Sequence, residues 1–358
     1  MKYPQMKILI VSGATGKFFH LNAFGEALKK LGVEYKLINE LEYGLGFPSK
    51  NIRNWFNPGK KFKKLLDDFK PDCVFVDRQA RIGMYTIQEK IPLFVLLRGD
   101  YWYELEWAKK TIAKNTITKM VLWMKNKIAE KCFREATAIF PICVYLENIV
   151  KEHYPKQNTH VFFEGIDSSN WFSTDTSNLK HPCVGLVQGA DWWGKAKEML
   201  VLKKVMKELP NVNFYWVGDG VYKDKIILEL EKFKNFNWLG HLQYPEKVRE
   251  FLSEIDVYAL ITGMDTAPLT LKEAQLMKKP VIATDVGGVN EMMKNNENGF
   301  LVEEGNSEDL INKLNMLINN KELSLKMGES GRKFVEETFS WDICAKKFLE
   351  SINNYIQK

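Results

Sequence analysis

The feature that most constrains the fold is an alternation of short apolar runs with amphipathic helical stretches along a chain of 358 residues. Short apolar runs bounded by turn residues are typical of buried strands, and the stretches between them have helical spacing. Strand–helix alternation predicts an α/β fold in which parallel sheets are covered on both faces. The predicted strands are Lys7–Val11, Glu34–Ile38, Cys73–Val76, Leu93–Leu97, Ala138–Phe140, His160–Phe163, Val184–Val187, Asn213–Val217, Asn237–Leu239, Val257–Leu260, Val281–Ala283 and Phe300–Val302. Helices are predicted at Leu21–Leu31, Lys125–Glu135, Glu198–Leu209 and Leu271–Lys278.

A polar segment near the middle of the chain predicts two domains. Ser168–Pro182 is rich in Ser, Thr, Asn and Asp, and Pro182 precedes a new apolar run. The length also suits two domains of ordinary size. Ligands of open α/β sheets bind outside the carboxyl ends of the strands, so we expect a cleft between two facing domains.

Composition excludes several other classes of protein. Apolar residues make up 45% of the chain and charged residues 27%, as in ordinary globular proteins. No apolar run approaches the roughly 18–20 residues that cross a bilayer, and no signal-peptide pattern is expected at the N-terminus. Five dispersed cysteines without a CxxC pair predict reduced thiols in a cytoplasmic protein rather than disulfides or a cysteine zinc site.

Net charge is unevenly distributed. Residues 1–167 hold 27 Lys and Arg against 18 Asp and Glu, a net of +9, whereas the rest of the chain has a net of −3. Residues 109–134 combine eight basic residues with Ile, Met, Val, Leu and Trp, and Lys60–Lys64 form a second basic cluster. Each stretch is open to two interpretations, a helix on an anionic membrane surface or an ordinary solvated helix face. Nucleic acid is not an expected partner, because no recognised nucleic-acid motif accompanies the charge.

A glycine-rich turn, Ser12-Gly13-Ala14-Thr15-Gly16-Lys17, follows the first predicted strand. Such a turn either brings backbone amides to a phosphate at a helix N-terminus or simply joins a strand to a helix. It also has part of the dinucleotide-binding pattern of nicotinamide enzymes, with Glu40 as the ribose-binding acid. Phe19 stands where that pattern requires a third glycine.

Two acidic residues, Asp265 and Glu273, are separated by seven residues in the second half. Thr266 is predicted to cap a helix whose early residues include Pro268, with Glu273 further along that helix. Eight residues of helix rise about 12 Å, so the two carboxylates could hold hydroxyls at both ends of an extended ligand. The amides between them would face a diphosphate in its middle, and a solvated helix face is the alternative.

The stretch from Ile255 to Glu291 resembles the signature of retaining GT-B glycosyltransferases of family 4, which use sugar nucleotides. That signature has two acids with seven residues between them, then Ala, a Lys-Pro-Val segment and Gly-Gly. The matching residues here are Asp265, Glu273-Ala274, Lys279-Pro280-Val281 and Asp285-Val286-Gly287-Gly288. Further similarities are Gly218-Asp219-Gly220, the segment Val161–Asp167, His20 ahead of Leu28-Lys29-Lys30-Leu31-Gly32, and the closing segment Val335–Lys358.

The resemblance implies a GT-B fold, with two Rossmann-like domains facing a central cleft. Residues 1–167 would bind the acceptor, 168–182 would be a linker, and 183–334 would bind the sugar nucleotide. Residues 335–358 would form a helix that crosses back to the first domain. The implied enzyme is a retaining hexosyltransferase that uses a UDP- or GDP-sugar and a glycan or lipid-linked acceptor, with no cofactor and no metal.

The resemblance also implies roles for single residues. Lys195 would stabilise the leaving diphosphate, Asp265 would contact sugar hydroxyls, and Glu273 would bind the ribose. Backbone amides of Thr266, Ala267 and Leu269 would face the donor, while Pro268 has no amide to donate. The remaining implied residues are Gly13, Thr15, Gly16 and Gly218 at the donor and His20, Arg98 and Asp100 on the acceptor side.

Four positions depart from the family pattern. Asp265 replaces a Glu, and Ala190 stands where an Arg precedes Lys195 by five positions. Arg98 replaces a common His, and Glu164-Gly165 replaces an Asn-Gly. The missing Arg leaves the diphosphate less well compensated unless Lys17, Lys197 or Arg98 contributes. Two alternative hypotheses remain: a nicotinamide-dependent oxidoreductase that uses the glycine-rich turn, and a non-catalytic sugar-nucleotide-binding protein, which Ala190 and Asp265 would allow.

Overall fold

A computed structural model describes residues 6–13, 18–43, 59–175 and 177–356. The chain divides into two compact units, residues 1–166 with 341–358, and residues 167–340. Each unit is built on one parallel sheet, so the predicted α/β class with two Rossmann-like sheets is confirmed.

The first unit contains a five-stranded sheet in the order β2-β1-β3-β4-β5. All neighbouring strands in it are parallel. Its strands are β1 Lys7–Ser12, β2 Glu34–Asn39, β3 Cys73–Asp77, β4 Leu93–Leu97 and β5 Ala138–Pro141. Its helices are α1 Phe18–Lys30, α2 Glu40–Tyr43, α3 Lys60–Phe69, α4 Arg81–Gln88, α5 Tyr101–Thr111, α6 Thr116–Glu135 and α7 Val144–His153.

The second unit contains a six-stranded parallel sheet in the order β11-β10-β9-β6-β7-β8. Its strands are β6 Cys183–Val187, β7 Asn213–Val217, β8 Phe236–Gly240, β9 Val257–Leu260, β10 Val281–Thr284 and β11 Gly299–Val302. Its helices are α8 Trp193–Ala196, α9 Leu202–Glu208, α10 Lys223–Leu230, α11 Glu246–Glu254, α12 Leu269–Leu276, α13 Ser307–Asn319 and α14 Lys321–Phe339. Single 3-10 turns lie at Ser168–Asn170, Lys197–Val201 and Val289–Met292.

The last helix, α15 Trp341–Ile356, belongs to the first unit rather than the second. Phe348 on α15 packs edge-on against Phe24 of α1 and Phe75 of β3, with ring centroids 5.2 and 4.9 Å apart. Burying this aromatic surface holds the end of the chain on the first sheet. The segment 335–358 is thus not one helix, since α14 ends at Phe339 in the second unit before α15 begins.

One predicted strand, His160–Phe163, is wrong. The amides of His160 and Phe162 donate hydrogen bonds to the carbonyls of Ile139 and Pro141 on β5, but none of the four residues belongs to a strand; an isolated bridge lies just before them at Thr159. Gly165 follows it, and a Cβ there would lie 2.4 Å from the indole of Trp341. The segment therefore leaves the sheet edge and passes under α15.

Candidate functional site

The candidate site lies where the strand order of the second sheet reverses. From β6 the chain builds outward to β7 and β8, then returns to place β9 on the other side of β6. Side-chain atoms of Gln188 join the carboxyl ends of these two strands, donating to the carbonyl of Ile261 at 2.8 Å and accepting from its amide at 3.1 Å. Loops at such a switch point diverge and leave a crevice for a ligand.

Lys195 and Asp265 meet at this switch point. Lys195 lies on the short helix α8, and its Nζ is 2.5 Å from Oδ2 of Asp265 in the loop after β9. The two loops approach closely because residue 263 is glycine: its amide donates to the carbonyl of Lys195, and a Cβ there would lie 2.3 Å from the carbonyl oxygen of Gly194. Both side chains are partly buried, with 25% of Lys195 and 12% of Asp265 exposed.

The loop around Asp265 is held by its own hydrogen bonds. The amide of Thr266 donates to Oδ1 of Asp265 at 2.9 Å, and the amide of Gly288 donates to its carbonyl at 3.1 Å. The prediction that Thr266 caps the helix is wrong, since α12 begins at Leu269 after Pro268 and has no side-chain cap. The predicted 12 Å helical rise does not apply either, because residues 265–268 precede the helix.

Glu273 is buried on α12, with 1% of its surface exposed. The hydroxyl of Tyr244, which lies between β8 and α11, donates to its Oε1 at 3.0 Å. Sequence reasoning missed Tyr244, because nothing in its local sequence indicates contact with a helix 29 residues further on. The hydrogen bond joins α12 to the loop between β8 and α11.

A cavity of about 670 Å³ lies at these loops, a volume in the range of ligand pockets. Tyr244 and Thr270 line it at the side of α12, and Thr270 accepts a hydrogen bond from the hydroxyl of Tyr258 at 2.7 Å. Among the described residues that line the cavity there is no lysine or arginine. The lining residues are Val187, Gln188, Gly189, Asp191, Val217, Gly218, Asp219, Gly220, Val221, His241, Leu242, Tyr244, Val248 and Thr270.

Gly218 and Gly220 allow close backbone packing at the base of the cavity. A Cβ on Gly218 would lie 2.1 Å from the carbonyl oxygen of Gln188, and one on Gly220 would lie 2.5 Å from the carbonyl carbon of Ala190. Gly220 also has φ of +141°, which favours glycine. The turn after β7 therefore packs backbone to backbone against the turn after β6.

Ala190, where the family pattern has an Arg, is fully buried in the apolar core of the second unit. Its amide donates to the carbonyl of Asp219 at 2.8 Å, and its carbonyl accepts from Tyr222 at 2.9 Å. The alanine thus fits its surroundings.

The residues predicted on the acceptor side lie in the first unit. His20 is buried on α1, and Asp100 caps α5 by accepting from the amides of Trp102 and Tyr103. Gly13, which is predicted to lie at the donor, also belongs to the first unit: it follows β1, and a Cβ there would lie 3.1 Å from the carbonyl oxygen of Asp77. The predicted donor residues Thr15 and Gly16, and Lys17 beside them, lie outside the described residues.

Arg98 lies in a buried ion triad at the carboxyl edge of the first sheet. Its Nε is 2.6 Å from Oδ1 of Asp77, and its Nη1 contacts Glu164. Burial alone would lower the pKa of Arg98, but the charges of Glu164 and Asp77 outweigh it and raise that pKa. Arg98 thus joins the ends of β3 and β4 to the segment that ends the first unit.

Glu40, the ribose acid of the nicotinamide alternative, is engaged by a helix terminus. Its carboxylate accepts hydrogen bonds from the backbone amides of Arg81 and Ile82 at the start of α4. Burial raises the pKa of Glu40 despite these bonds. A carboxylate held in this way is poorly placed to receive ribose hydroxyls, which weighs against that alternative.

One group of metal-ligand type occurs within the described ranges: His181, Cys183 and Asp256 bring ligand atoms within 4.8 Å of one another. Oδ2 of Asp256 lies 2.8 Å from Nδ1 of His181 and accepts the amide of Cys183 at 2.7 Å. Burial raises the pKa of Cys183 to about 12, so its thiol stays protonated and is a weak ligand. These contacts fasten the start of β6, at the opposite end of that strand from the cavity.

A family model described as glycosyl transferases group 1 matches residues 194–334. An uncharacterized glycosyltransferase of Methanocaldococcus jannaschii is 30% identical over 246 residues, which cover 65% of this chain and 66% of that protein. The matched segments span from about a third to about two thirds of the length of the curated relatives compared.

Solved structures share the fold over nearly the whole chain. Sucrose-phosphate synthase from Thermosynechococcus elongatus superimposes with a TM-score of 0.74 at 14% identity, covering 99% of this chain and 100% of that one. Anabaena HepE in complex with UDP-glucose gives a TM-score of 0.68 at 16% identity, with 98% and 100% covered. These likenesses confirm the predicted GT-B fold class.

Proposed function

Because the chain belongs to the glycosyl transferases group 1 family, we propose that it transfers a hexose from a nucleoside-diphosphate sugar to a glycan or lipid-linked acceptor, with retention of configuration. The observation that carries this proposal is the arrangement at one switch point of the Lys195–Asp265 pair, the buried Glu273 and the cavity. HepE is described in complex with UDP-glucose, which supports a UDP-hexose as the first donor to examine.

The division of charge at the site indicates which part of the donor binds where. The cavity has no described cationic lining residue, so it suits an uncharged base and ribose. Glu273, held by Tyr244, is the proposed acceptor for ribose hydroxyls. Lys195 lies at the same edge of the sheet and is the proposed partner of the diphosphate.

Lys195 and Asp265 have complementary parts in the proposed reaction. The ammonium group of Lys195 stabilises negative charge on the departing diphosphate, and Asp265 fixes hydroxyls of the transferred sugar. Since the two side chains pair with each other in the structure described, Lys195 shares its charge between Asp265 and the donor. Attack on the face of the leaving group, with a donor phosphate oxygen taking the acceptor proton, requires no nucleophile from the protein.

The ribose assignment is tested with UDP, GDP and their 2′,3′-dideoxy analogues. We expect wild-type protein to bind its matching nucleotide about ten- to a hundred-fold more tightly than the dideoxy analogue, because the hydroxyls donate to a charged group. In Glu273→Gln this preference is expected to shrink to a few-fold at most. Titration calorimetry measures the affinities of both proteins for each nucleotide and its dideoxy analogue, and circular dichroism checks that the variant is folded. Equal preference for the ribose hydroxyls in both proteins would remove Glu273 from this role.

Tyr244→Phe is expected to weaken binding of the matching nucleoside diphosphate about three- to ten-fold, since one hydrogen bond that orients Glu273 is lost while the ring stays in place. The matched control is Tyr215→Phe, which removes a hydroxyl that accepts from the amide of Lys180 at 2.9 Å, outside the site. Titration calorimetry on both variants decides the question. Wild-type affinity in Tyr244→Phe would show that the hydroxyl does not position Glu273.

A further inference from the structure

Helix α6 presents large apolar side chains to solvent. Ile117, Met120 and Trp123 are 70%, 48% and 60% exposed. They are spaced three residues apart, which keeps them on one side of the helix. The buried residues of α6 are Ala129, Cys132 and Phe133. Ala129 comes nine positions after Met120, and at about 100° per position this places the two residues on opposite sides of the helix. The apolar row therefore points directly away from the core.

The surroundings of this row are basic. No acidic residue occurs between Glu106 and Glu130, whereas Lys114, Lys119, Lys125 and Lys127 all lie in that interval and are exposed. Ile112, 57% exposed, extends the apolar surface just before α6. At about 100° per residue, Lys127 lies on the same side of α6 as Met120, and Lys119 lies about 100° to one side of it. Lys127 also pairs with Glu130 at 2.9 Å. An exposed aromatic and aliphatic row bordered by these lysines complements a surface that is apolar below and anionic above. A protein partner complementary to this face would have to combine an apolar patch with an acidic rim.

We propose that the α6 face, defined as Ile117, Met120 and Trp123 with the lysines beside them, docks on an anionic lipid surface. The apolar side chains enter the boundary between headgroups and acyl chains, and the lysines extend to the headgroups. This proposal rests on exposure and charge in the first unit and does not depend on the proposed transfer reaction. In the part of the chain that the structure describes, none of the helices has the length and apolarity of a membrane span.

The second basic cluster, at the start of α3, lacks these features. Phe62 is fully buried, Lys63 pairs with Glu89 at 3.1 Å, and Lys61 lies 4.5 Å from the ring centroid of Tyr43. Its apolar residue faces the core and its lysines face water or neighbouring side chains. This cluster is a solvated helix face, so it serves as a control of similar charge.

Vesicle co-sedimentation tests the proposal. The full chain is expected to bind vesicles of phosphatidylcholine with 30% phosphatidylglycerol and not vesicles of phosphatidylcholine alone. The triple variant Ile117→Ser, Met120→Ser, Trp123→Ser is expected to lower the partition coefficient about ten-fold or more. Lys119→Gln with Lys127→Gln should lower it about five-fold per lysine, and added salt should weaken wild-type binding.

Two controls keep the test specific. Lys60→Gln with Lys64→Gln removes the same charge from α3, and Leu228→Ser with Leu325→Ser removes apolar side chains of similar exposure from the second unit; both should bind like wild type. Absence of wild-type binding to the anionic vesicles would overturn the proposal, and so would unchanged binding by the α6 triple variant. Concentration-dependent dimerisation that the triple variant abolishes, without vesicle binding, would assign the face to a second copy of the chain instead.

Discussion

Lys195→Ala is expected to lower the rate of sugar transfer, or of donor hydrolysis, by about 10²- to 10³-fold while leaving the fold intact. Lys195 is the cation closest to Asp265 at the switch point, and Ala190 leaves the position of a family arginine empty of charge. A departing diphosphate is therefore expected to depend on Lys195 more than on any other described side chain of the second unit. Initial rates of nucleoside-diphosphate release, with donor in excess, give the effect on kcat.

A matched lysine outside the site provides the control for this result. The Nζ of Lys203 on α9 lies 2.6 Å from Oε2 of Glu229 on α10, so Lys203→Ala removes an exposed lysine–carboxylate pair of which neither member belongs to the loops after β6 and β9. Its rate is expected to stay within about two-fold of wild type, since such exposed pairs contribute little. A Lys195→Ala enzyme as fast as Lys203→Ala would exclude Lys195 from the mechanism.

Arg98→Met is expected to lower the free energy of unfolding by about 3–5 kcal/mol, the largest stability effect that we predict. The substitution leaves Asp77 and Glu164 facing each other as buried carboxylates without their shared cation. Urea denaturation followed by tryptophan fluorescence measures the loss. A change below about 1 kcal/mol would show that the triad does not hold the carboxyl edge of the first sheet together.

Two variants separate the buried charge from the loss of an arginine as such. Arg78 pairs with Glu104 at 3.2 Å on the surface, so Arg78→Met is expected to cost about 1 kcal/mol or less. Adding Asp77→Asn and Glu164→Gln to Arg98→Met should recover part of the lost stability, because neutral amides then replace the two buried carboxylates. No recovery would indicate that packing of the Arg98 side chain, rather than charge, is what matters.

Most of the secondary structure could be predicted from the sequence. Strands buried on both faces of a parallel sheet read as continuous apolar runs, and eleven of the twelve predicted strands are present with bounds within one residue. His160–Phe163 has the same apolar character but is diverted by contacts with α15, nearly two hundred residues later. Helix α6 begins at Thr116, nine residues before its prediction, because its exposed apolar row hides the helical period.

The site was only partly predictable. The spacing of Asp265 and Glu273 identified the right loop and helix, yet Pro268 moved the helix start to Leu269 and left Thr266 bonded to Asp265 instead of capping. Tyr244 could not be found from sequence, because its contact with Glu273 is created by the packing of the β8 loop on α12. The Arg98 triad likewise joins three segments whose separate sequences give no sign of the others.

The central claim is that the second unit binds and activates a sugar nucleotide at Lys195, Asp265 and Glu273. Its most direct test measures nucleoside-diphosphate release from a panel of UDP- and GDP-sugars, for wild type and Lys195→Ala. Tryptophan fluorescence monitors NADPH binding in the same experiment. We predict slow hydrolysis of at least one sugar nucleotide by wild type, nearly abolished in Lys195→Ala, and no quenching by NADPH. Quenching of tryptophan fluorescence by NADPH, with neither binding nor hydrolysis of any sugar nucleotide, would contradict the claim. Binding of a sugar nucleotide without its turnover, even with glycan and lipid acceptors supplied, would show that the protein is a non-catalytic binder.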